Sequence, residues 1–584
     1  MKPSLFILIA AAFCLQLFVP SSASTQDVTP PQILAVGVDP SPPEVGVPLD
    51  VTAFIKDDQQ VQSVRLFYRA GGSTAFDSTL MIPLMLLDEP IPNFYIGIIP
   101  AEKVTIRGLE AYLVVSDGSN ITTLPPNNPQ DQPEPIPVRV VSLIVKPTPQ
   151  PAEKYRMISV PFFVFSGPEL LPQKFSNYFE PYDKTGVRLF ALKNSRYIEY
   201  GTNDFPPNIV PGVAIFLIYR DEEQVRLEPT GLTVATVEPF ELVLAPGWNM
   251  IGTPWNFRVS WTMAEKPEGV WSSLYAYDDG GFKIVDILEP WEGYLAYNFN
   301  ADSTTVKLLP KEAPSSSPVS KQQTHSNDEW RLALQAQVGA QLDTVNYLGM
   351  RRDAGDDWDR FDAPEPPPIG DYVSLYFPHP EWKYAGYYSA DYRPFSDRGA
   401  YWDFELRSNI NERTVELRWN GVETTPESFE IILVDRRIGQ AVNLRREKKY
   451  TCFVDEAKDD AETATPRFRL IVGNPNFAQE HAEGLMGIPT AFALRQNFPN
   501  PFATDQGHTV IRYALPQAGH VRLTVFDMLG REVKTLVNKN LQAGYHGAAW
   551  DGRDEQGRRL ATGLYFYRLH AGNFVRVNKM LLVR

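Results

Sequence analysis

An acidic stretch near the middle of the chain has the residue types that bind calcium. This hard cation takes roughly six to eight oxygen ligands, and the candidate ligands here are Asp353, Asp357, Asp359 and Asp362. Their spacing around Gly355 fits no EF-hand, and a glutamate that could chelate the ion with both oxygens is missing at the end of the stretch. The sequence leaves two interpretations open, a calcium site and a solvated loop whose Trp358 and Phe361 pack on the core.

A run of aromatic residues follows the acidic stretch. Exposed aromatic faces stack on sugar rings, although strand cores also need aromatic side chains. Both glycan binding and core packing are therefore open for these residues, which are Trp382, Tyr384, Tyr387, Tyr388 and Tyr392.

The sequence contains no recognisable catalytic motif. Its seven histidines form no His-Glu-x-x-His pair, and neither a Gly-x-Ser-x-Gly elbow nor a phosphate-binding glycine loop is present. No spacing singles out a pair of carboxylates for glycoside hydrolysis. We therefore predict that the protein is not an enzyme, with no catalytic residues and no cofactor other than the candidate calcium. A hydrolase of an unrecognised family is kept as an alternative.

Composition and charge indicate an all-β protein that does not bind nucleic acid. The 51 prolines, 38 glycines and 12% aromatic residues favour short strands and turns. The formal net charge of −15 disfavours nucleic acid and anionic membranes as partners.

The first 23 residues have the features of a secretory signal peptide. Lys2 precedes an apolar run over residues 5–19, and Ser21, Ser22 and Ala23 then offer the small residues that a signal peptidase requires, with cleavage expected after Ala23. No later stretch reaches the roughly 20 apolar residues of a membrane-spanning helix. Cys14 leaves with the peptide, so the mature chain retains Cys452 alone and has no intrachain disulfide.

Three further regions precede the C-terminus. Alternating strands over residues 27–143 resemble bacterial immunoglobulin-like or fibronectin type III domains. Residues 153–310 contain an internal repeat, in which the motif around Met157 returns around Met250, and two copies are fewer than a solenoid needs. Residues 311–328 have the composition of a flexible linker. Strands spaced along residues 329–475 predict another β-sandwich, for which a jelly roll is one option.

The C-terminal region, residues 494–584, predicts a small immunoglobulin-type sandwich. Apolar and polar residues alternate along short segments, such as Val521 to Asp527, and glycine turns separate them.

Short motifs occur in a fixed order along this region. Their residues are Pro499, Asn500, Pro501, Phe502, Asp527, Gly530, Gly544, Trp550, Asp551, Gly552, Gly563, Tyr565, Lys579 and Met580. In this order they resemble the type A C-terminal sorting domain of the type IX secretion system, which exports proteins across the outer membrane of Bacteroidota-type bacteria. The middle of the region is also similar to the immunoglobulin-like domain of flagellar hook-capping proteins. One departure is a longer loop over residues 503–509, without the second Asn-Pro pair that the family usually has.

The resemblance implies a recognition domain for the type IX machinery, often removed when the protein is released or attached to the cell surface. The predicted location is extracellular or on the outer cell surface, after signal-peptide export to the periplasm. We therefore interpret the chain as an all-β, multidomain, structural or adhesive surface protein whose partners include surface glycans or other surface proteins. An extracellular polysaccharide-binding protein is the principal alternative.

Overall fold

The computed structural model describes the chain from residue 28 to residue 583, with gaps. The residues outside this description are 1–27, 141–143, 146–151, 167–170, 173–181, 207, 209, 222–225, 228–229, 279, 315–328, 411–413, 455–464, 483–490, 498, 504–507 and 584. The predicted signal peptide and most of the predicted linker lie outside it. The fold is all-β and multidomain, with 55% strand and 3% helix, so the predicted fold class is confirmed.

The chain divides into two compact units. Among the described residues, the first comprises 28–70, 74–104 and 109–136. Its hydrogen-bonded strands follow the order β1-β2-β5-β4-β3-β6-β7, with β8 paired to β6. The strands are β1 (Gln32–Asp39), β2 (Leu49–Lys56), β3 (Ser63–Ala70), β4 (Asp77–Leu86), β5 (Glu89–Ile99), β6 (Leu109–Ser116), β7 (Ile121–Leu124) and β8 (Glu134–Ile136), with a 3-10 turn at Ala101–Lys103.

The second unit contains residues 71–73, 105–108 and 137–584. Its first part, the repeat domain, is built from short strands. They are β9 (Arg139–Val140), β10 (Ile144–Val145), β11 (Arg156–Ser159), β12 (Phe163–Ser166), β13 (Leu171–Pro172), β14 (Val187–Lys193), β15 (Arg196–Glu199), β16 (Ala214–Tyr219), β17 (Arg226–Leu227), β18 (Thr230–Leu232), β19 (Phe240–Leu244), β20 (Gly247–Ile251), β21 (Val259–Ser260), β22 (Leu274–Asp278), β23 (Gly281–Val285), β24 (Ile287–Leu288), β25 (Tyr294–Asn298) and β26 (Thr304–Leu308).

The repeated sequence motifs lie on equivalent strands of two matching sheets. The sheets have the orders β11-β16-β14-β15 and β20-β25-β22-β23. If the four strands of each copy are numbered along the chain, strand 1 pairs with strand 4, strand 4 with strand 2, and strand 2 with strand 3 in both sheets. Backbone hydrogen bonds join the copies, since Gly293 N donates to Met157 O at 3.0 Å and Gly252 N donates to Gly212 O at 3.1 Å. The two copies therefore form one paired structure.

An eleven-stranded sheet follows the repeat domain. Its hydrogen-bonded path is β35-β34-β37-β32-β30-β31-β28-β27-β33-β36, with β29 paired to β31. The elements are β27 (Trp330–Val338), β28 (Gln341–Arg351), β29 (Ala363–Pro364), β30 (Val373–His379), β31 (Gly386–Pro394), β32 (Gly399–Ser408), β33 (Thr414–Asn420), a 3-10 turn at Val422–Thr424, β34 (Glu430–Asp435), β35 (Gln440–Asn443), β36 (Lys449–Phe453), β37 (Phe468–Gly473) and α1 (Pro475–Ala482).

The repeat domain and the eleven-stranded sheet share a hydrophobic core. Phe216, Trp248 and Leu295 from the repeat domain belong to the same buried cluster as Val345 and Ala390. Within this contact the hydroxyl groups of Tyr275 and Ser389 lie 2.5 Å apart. The two parts therefore do not pack as separate modules, although the sequence suggested a flexible linker between them. The first residues of that linker, 311–314, are described, and Ala313 among them is buried.

The last region, the C-terminal sandwich, consists of two sheets around one core. The sheets have the orders β38-β40-β43 and β39-β45-β44-β41-β42. The strands are β38 (Ala493–Leu494), β39 (Phe502–Ala503), β40 (Thr509–Leu515), β41 (Gly519–Phe526), β42 (Glu532–Leu541), β43 (Gly544–Trp550), β44 (Gly563–Ala571) and β45 (Phe574–Val583). Alternation places Val521, Leu523 and Val525 inward, because successive residues of a strand face opposite sides.

Within the described part of the chain, no helix is long and apolar enough to cross a bilayer. Cys452 is a buried free thiol, and burial raises the pKa of that thiol to about 12.

Candidate functional site

A groove with exposed aromatic rings lies on the eleven-stranded sheet. Its volume is about 900 Å³. Three of the rings that line it retain 36%, 36% and 39% exposure, those of Tyr387 on β31, Phe395 just after β31, and Tyr401 on β32. Because large apolar side chains are normally buried in strands, exposed rings that line one concave surface indicate a binding site. We call this surface the aromatic groove.

The floor of the aromatic groove contains a buried histidine between two carboxylates. His379 Nδ1 lies 2.8 Å from Glu381 Oε1, and its Nε2 lies 2.8 Å from Asp391 Oδ2. Both ring nitrogens can donate at the same time only in the imidazolium form. The ring also stacks on Trp382, with centroids 3.6 Å apart. The histidine is therefore held in one orientation by contacts on its edges and its face.

Two carboxylates on the wall of the groove are already bonded within the protein. Asp403 accepts hydrogen bonds from Arg436 at 2.8 Å and from both ends of the Arg469 guanidinium at 2.7 Å. Glu405 accepts from the backbone N–H of Arg467 at 3.0 Å. The two arginines compensate the charge of Asp403, and a backbone N–H group satisfies one oxygen of Glu405, so the surface combines aromatic faces with hydrogen-bonded polar groups. Such a surface suits the faces and hydroxyl groups of neutral sugars.

The aromatic run identified in the sequence divides between the groove and the core. Tyr387 alone of the five lines the groove. Trp382 and Tyr388 are buried, and Tyr384 packs on Phe299 of the repeat domain, with centroids 4.8 Å apart. Tyr392 packs against Phe361, with centroids 6.4 Å apart.

Phe395, Tyr401 and His379 of the groove were not identified from the sequence. Tyr401 sits in the alternating pattern of β32, where its neighbours Trp402 and Phe404 are buried. An aromatic residue on the outward face of such a strand is the signal that could have identified it.

The four candidate calcium ligands do not direct their oxygens to one point. Asp353 pairs with Arg360 at 3.0 Å, and Asp357 Oδ1 accepts from the N–H groups of residues 358 and 383. Both oxygens of Asp359 accept backbone N–H groups, as do both of Asp362.

Burial also disfavours a charged carboxylate at Asp362. Burial and the nearby Asp391 raise the pKa of Asp362 to about 8, whereas a calcium ligand must be ionised. Among the residues that the structure describes, no three His, Cys, Asp or Glu side chains gather into a metal-binding group. Calcium binding by this loop stays a prediction that the arrangement of its oxygens does not support.

The motif residues of the C-terminal sandwich have two structural roles. Four of them, Phe502, Trp550, Tyr565 and Met580, are buried in its core. The Trp550 ring contacts Phe502 and Tyr565, with centroids 5.4 and 5.3 Å away. These residues therefore join β39, β43 and β44 into one core.

All but one of the other motif residues are at turns and strand ends. Asp527 Oδ1 accepts the N–H groups of Leu529 and Arg531 at 2.9 and 3.0 Å, and Gly530 in the same turn has φ +77°, which favours glycine. Asn500 Oδ1 accepts Leu581 N at 2.8 Å, which ties the segment before β39 to β45. The remaining members at turns and strand ends are Pro499, Pro501, Gly544, Asp551, Gly552 and Gly563, whereas Lys579 lies within β45.

One end of the C-terminal sandwich presents exposed apolar side chains beside a cavity. Met528 and Leu529 are 70% and 79% exposed at the tip of the Asp527 turn. This turn and residues 554–565 line a cavity of about 620 Å³. Apolar side chains at a turn that hydrogen bonds hold in place are suited to contact another protein.

The C-terminal sandwich has the class of an immunoglobulin-like domain. Residues 500–573 match the FlgD Ig-like domain family, which confirms the coarser part of the resemblance seen in the sequence. No curated protein matches the chain.

Solved structures share only weak likeness with the chain. Dimeric latent PorU from Porphyromonas gingivalis is 9% identical over 95% of this chain and 34% of its own, with a TM-score of 0.14. PorZ, a surface component of the type IX secretion system of the same organism, is 10% identical over 81% of this chain and 56% of its own, also with a TM-score of 0.14. Salmonella alpha-2-macroglobulin is 8% identical over 96% of this chain and 47% of its own, with a TM-score of 0.13. The chain thus spans a third to about half the length of these proteins, and TM-scores this low carry no argument about its function.

Proposed function

We propose that the protein is a secreted, modular component of the cell surface with a structural or adhesive role, exported through its C-terminal sandwich. The observation that supports this most directly is the immunoglobulin-like match over residues 500–573, together with the ordered motifs that build the sandwich. The type IX machinery is the proposed partner. We propose that this machinery contacts the exposed side chains of Met528 and Leu529.

Removal of residues 496–584 is expected to leave the protein in the periplasm of its native host. The intact chain is expected at the cell surface or in the medium, because the exporter contacts the missing domain. The double variant Met528→Ser and Leu529→Ser keeps the fold, since both side chains are exposed, and is expected to lower the surface fraction. Fractionation followed by immunoblotting measures both effects.

The matched control for this experiment changes a different exposed face of the same sandwich. Val575→Ser and Val577→Ser on β45 replace half-exposed valines and are expected to leave export unchanged. If the truncated and intact chains reach the surface equally, the C-terminal sandwich is not an export signal.

Polysaccharide binding is a second candidate function, and the aromatic groove favours it. Replacing both Tyr387 and Tyr401 by alanine is expected to weaken binding to a neutral polysaccharide on the order of tenfold or more, since stacked rings contribute about 0.5–1.5 kcal/mol each. Affinity electrophoresis against a panel of neutral polysaccharides measures this. Leu342→Ala changes an exposed side chain of the same sheet outside the groove and serves as the control.

Two outcomes would contradict this second candidate. Retention that is the same for the wild type and the double tyrosine variant would exclude the groove as the binding site. Release of new reducing ends from the panel would instead favour the hydrolase alternative, and the protein would then be an enzyme.

A further inference from the structure

A small basic cavity lies between the eleven-stranded sheet and the C-terminal sandwich. Its volume is about 280 Å³. The hairpin of β34 and β35 forms one side, and segments near β38, β40 and β43 form the other. Its lining residues are Arg436, Arg437, Ile438, Gly439, Arg495, Arg512, Tyr513, Tyr545 and His546. None of these described lining residues is acidic, although the chain as a whole has a net charge of −15.

Arg512 on β40 is one of the arginines that line the cavity. Its Nε is buried and has no hydrogen-bond partner. Burial lowers the pKa of Arg512, and the nearby positive charges of Arg467 and Arg437 act in the same direction, whereas the Asp435 carboxylate acts against them. A buried N–H group without a hydrogen-bond partner is costly, because it has left water without gaining an acceptor. This position would gain from a bound anion.

The nearest carboxylates are already paired elsewhere. Asp435 accepts two hydrogen bonds from the Arg467 guanidinium, at 3.0 and 2.6 Å, and one from Tyr450 at 2.9 Å. Asp403 is bonded to Arg436 and Arg469. Even so, Arg436 Nε is buried without a hydrogen-bond partner. The acidic groups near the cavity are therefore committed to other arginines.

Rings form fixed walls on the remaining sides of the cavity. Gly439 has φ +64°, and a Cβ there would lie 2.8 Å from Tyr545 Cδ2, so glycine allows the hairpin to approach the tyrosine ring. His546 stacks on Tyr513 with centroids 5.5 Å apart, and its Nε2 lies 2.9 Å from Gln542 O. Burial lowers the pKa of His546, which favours the neutral imidazole, so the arginines supply the positive charge.

We propose that this cavity binds a tetrahedral oxyanion of the phosphate type. Guanidinium groups bind such anions through paired N–H donors, which give both strength and orientation. Because Arg436 and Arg437 come from one part of the protein and Arg495 and Arg512 from the other, the bound anion joins the C-terminal sandwich to the eleven-stranded sheet. This inference does not depend on the export function.

Titration of the full mature chain with inorganic phosphate, at constant ionic strength, tests the proposal. Calorimetry is expected to show one site per chain, and phosphate is expected to raise the Tm of the wild type by mass action. Arg512→Gln is expected to weaken binding on the order of tenfold or more and to reduce the Tm shift at the same phosphate concentration. Arg495→Gln, which changes an exposed side chain and so preserves the fold, is expected to weaken binding as well.

Arg576→Gln, an exposed arginine on β45 away from the cavity, is the matched control and is expected to bind phosphate as the wild type does. Titration with glucose 6-phosphate assigns the source of the anion. Tighter binding than inorganic phosphate supports a phosphoester ligand, and weaker binding supports the free ion. The proposal is overturned if phosphate gives neither heat nor a Tm shift, or if both cavity variants bind it as tightly as the wild type.

Discussion

Replacing Trp550 by alanine is expected to destabilise the C-terminal sandwich by about 3–5 kcal/mol. The side chain is 1% exposed and contacts Phe502 and Tyr565 from two other strands. Its Nε1 donates to Arg553 O at 3.0 Å. Truncation therefore leaves a large cavity and an unpaired carbonyl group, and the neighbouring rings cannot fill the space without moving strands.

Hydrogen exchange of the β44 amides, measured by mass spectrometry on the full chain, reports the loss of stability of the C-terminal sandwich in the Trp550 variant. Protection of these amides follows the free energy of opening the sandwich. Leu529→Ala removes a side chain that is mostly exposed and is expected to change the same protection by less than about 0.5 kcal/mol. Equal protection in the Trp550 variant and the wild type would show that the ring does not hold the two sheets together.

Replacing Arg467 by alanine is expected to lower the free energy of unfolding by about 3–5 kcal/mol. The side chains of Arg467 and Asp435 are 4% and 1% exposed and form an ion pair of 2.6 Å. Arg467 also donates to the carbonyl oxygen of Phe453. Its loss leaves the Asp435 carboxylate buried without a counter-charge, and this unpaired charge accounts for most of the effect.

Urea unfolding with a fixed m-value measures this change. The double variant Asp435→Ala and Arg467→Ala is expected to lose less free energy of unfolding than the sum of the losses of the two single variants, since neither charge is then left without its partner. Arg398→Ala is the control, because it breaks an ion pair with Glu480 in which both side chains are more than half exposed. We expect this variant to lower the free energy of unfolding by less than about 1 kcal/mol. Additive losses for the buried pair would contradict the assigned coupling.

Local pattern was enough to predict the strands and several turns. On β2, Leu49, Val51, Ala53 and Ile55 alternate in the sequence and are all buried, because a strand faces its core with every second residue. The turn at Gly530 was predicted from residue type, and its φ of +77° agrees. The internal repeat was visible because equivalent strands need the same apolar residues at the same positions.

Contacts between distant segments could not be predicted in this way. The linker composition between the repeat domain and the eleven-stranded sheet suggested separate modules, yet Trp248 and Ala390 share a buried cluster. The aromatic run also gave no sign that Tyr387 alone would line the groove while its neighbour Tyr388 is buried. The basic cavity depends on Arg436 and Arg512, whose proximity is set by packing between two domains rather than by any local motif.

The acidic loop shows why residue type and spacing can mislead about a metal site. Carboxylates that alternate along a loop satisfy backbone N–H groups as readily as they bind an ion, since both uses favour the same residues. Asp359 uses both oxygens in this way. The choice between the two uses depends on the direction of each carboxylate, which the sequence does not contain.

The position of β45 in the C-terminal sandwich has a consequence for the timing of folding during synthesis. This strand lies between β44, to which it pairs antiparallel, and β39, to which it pairs parallel. A ribosome that stops before this strand has been made leaves both neighbours without their partner and exposes the core that Met580 and Leu582 cover. The domain proposed as the export signal therefore forms only in chains whose translation has passed its last strand, which would keep truncated products from the cell surface.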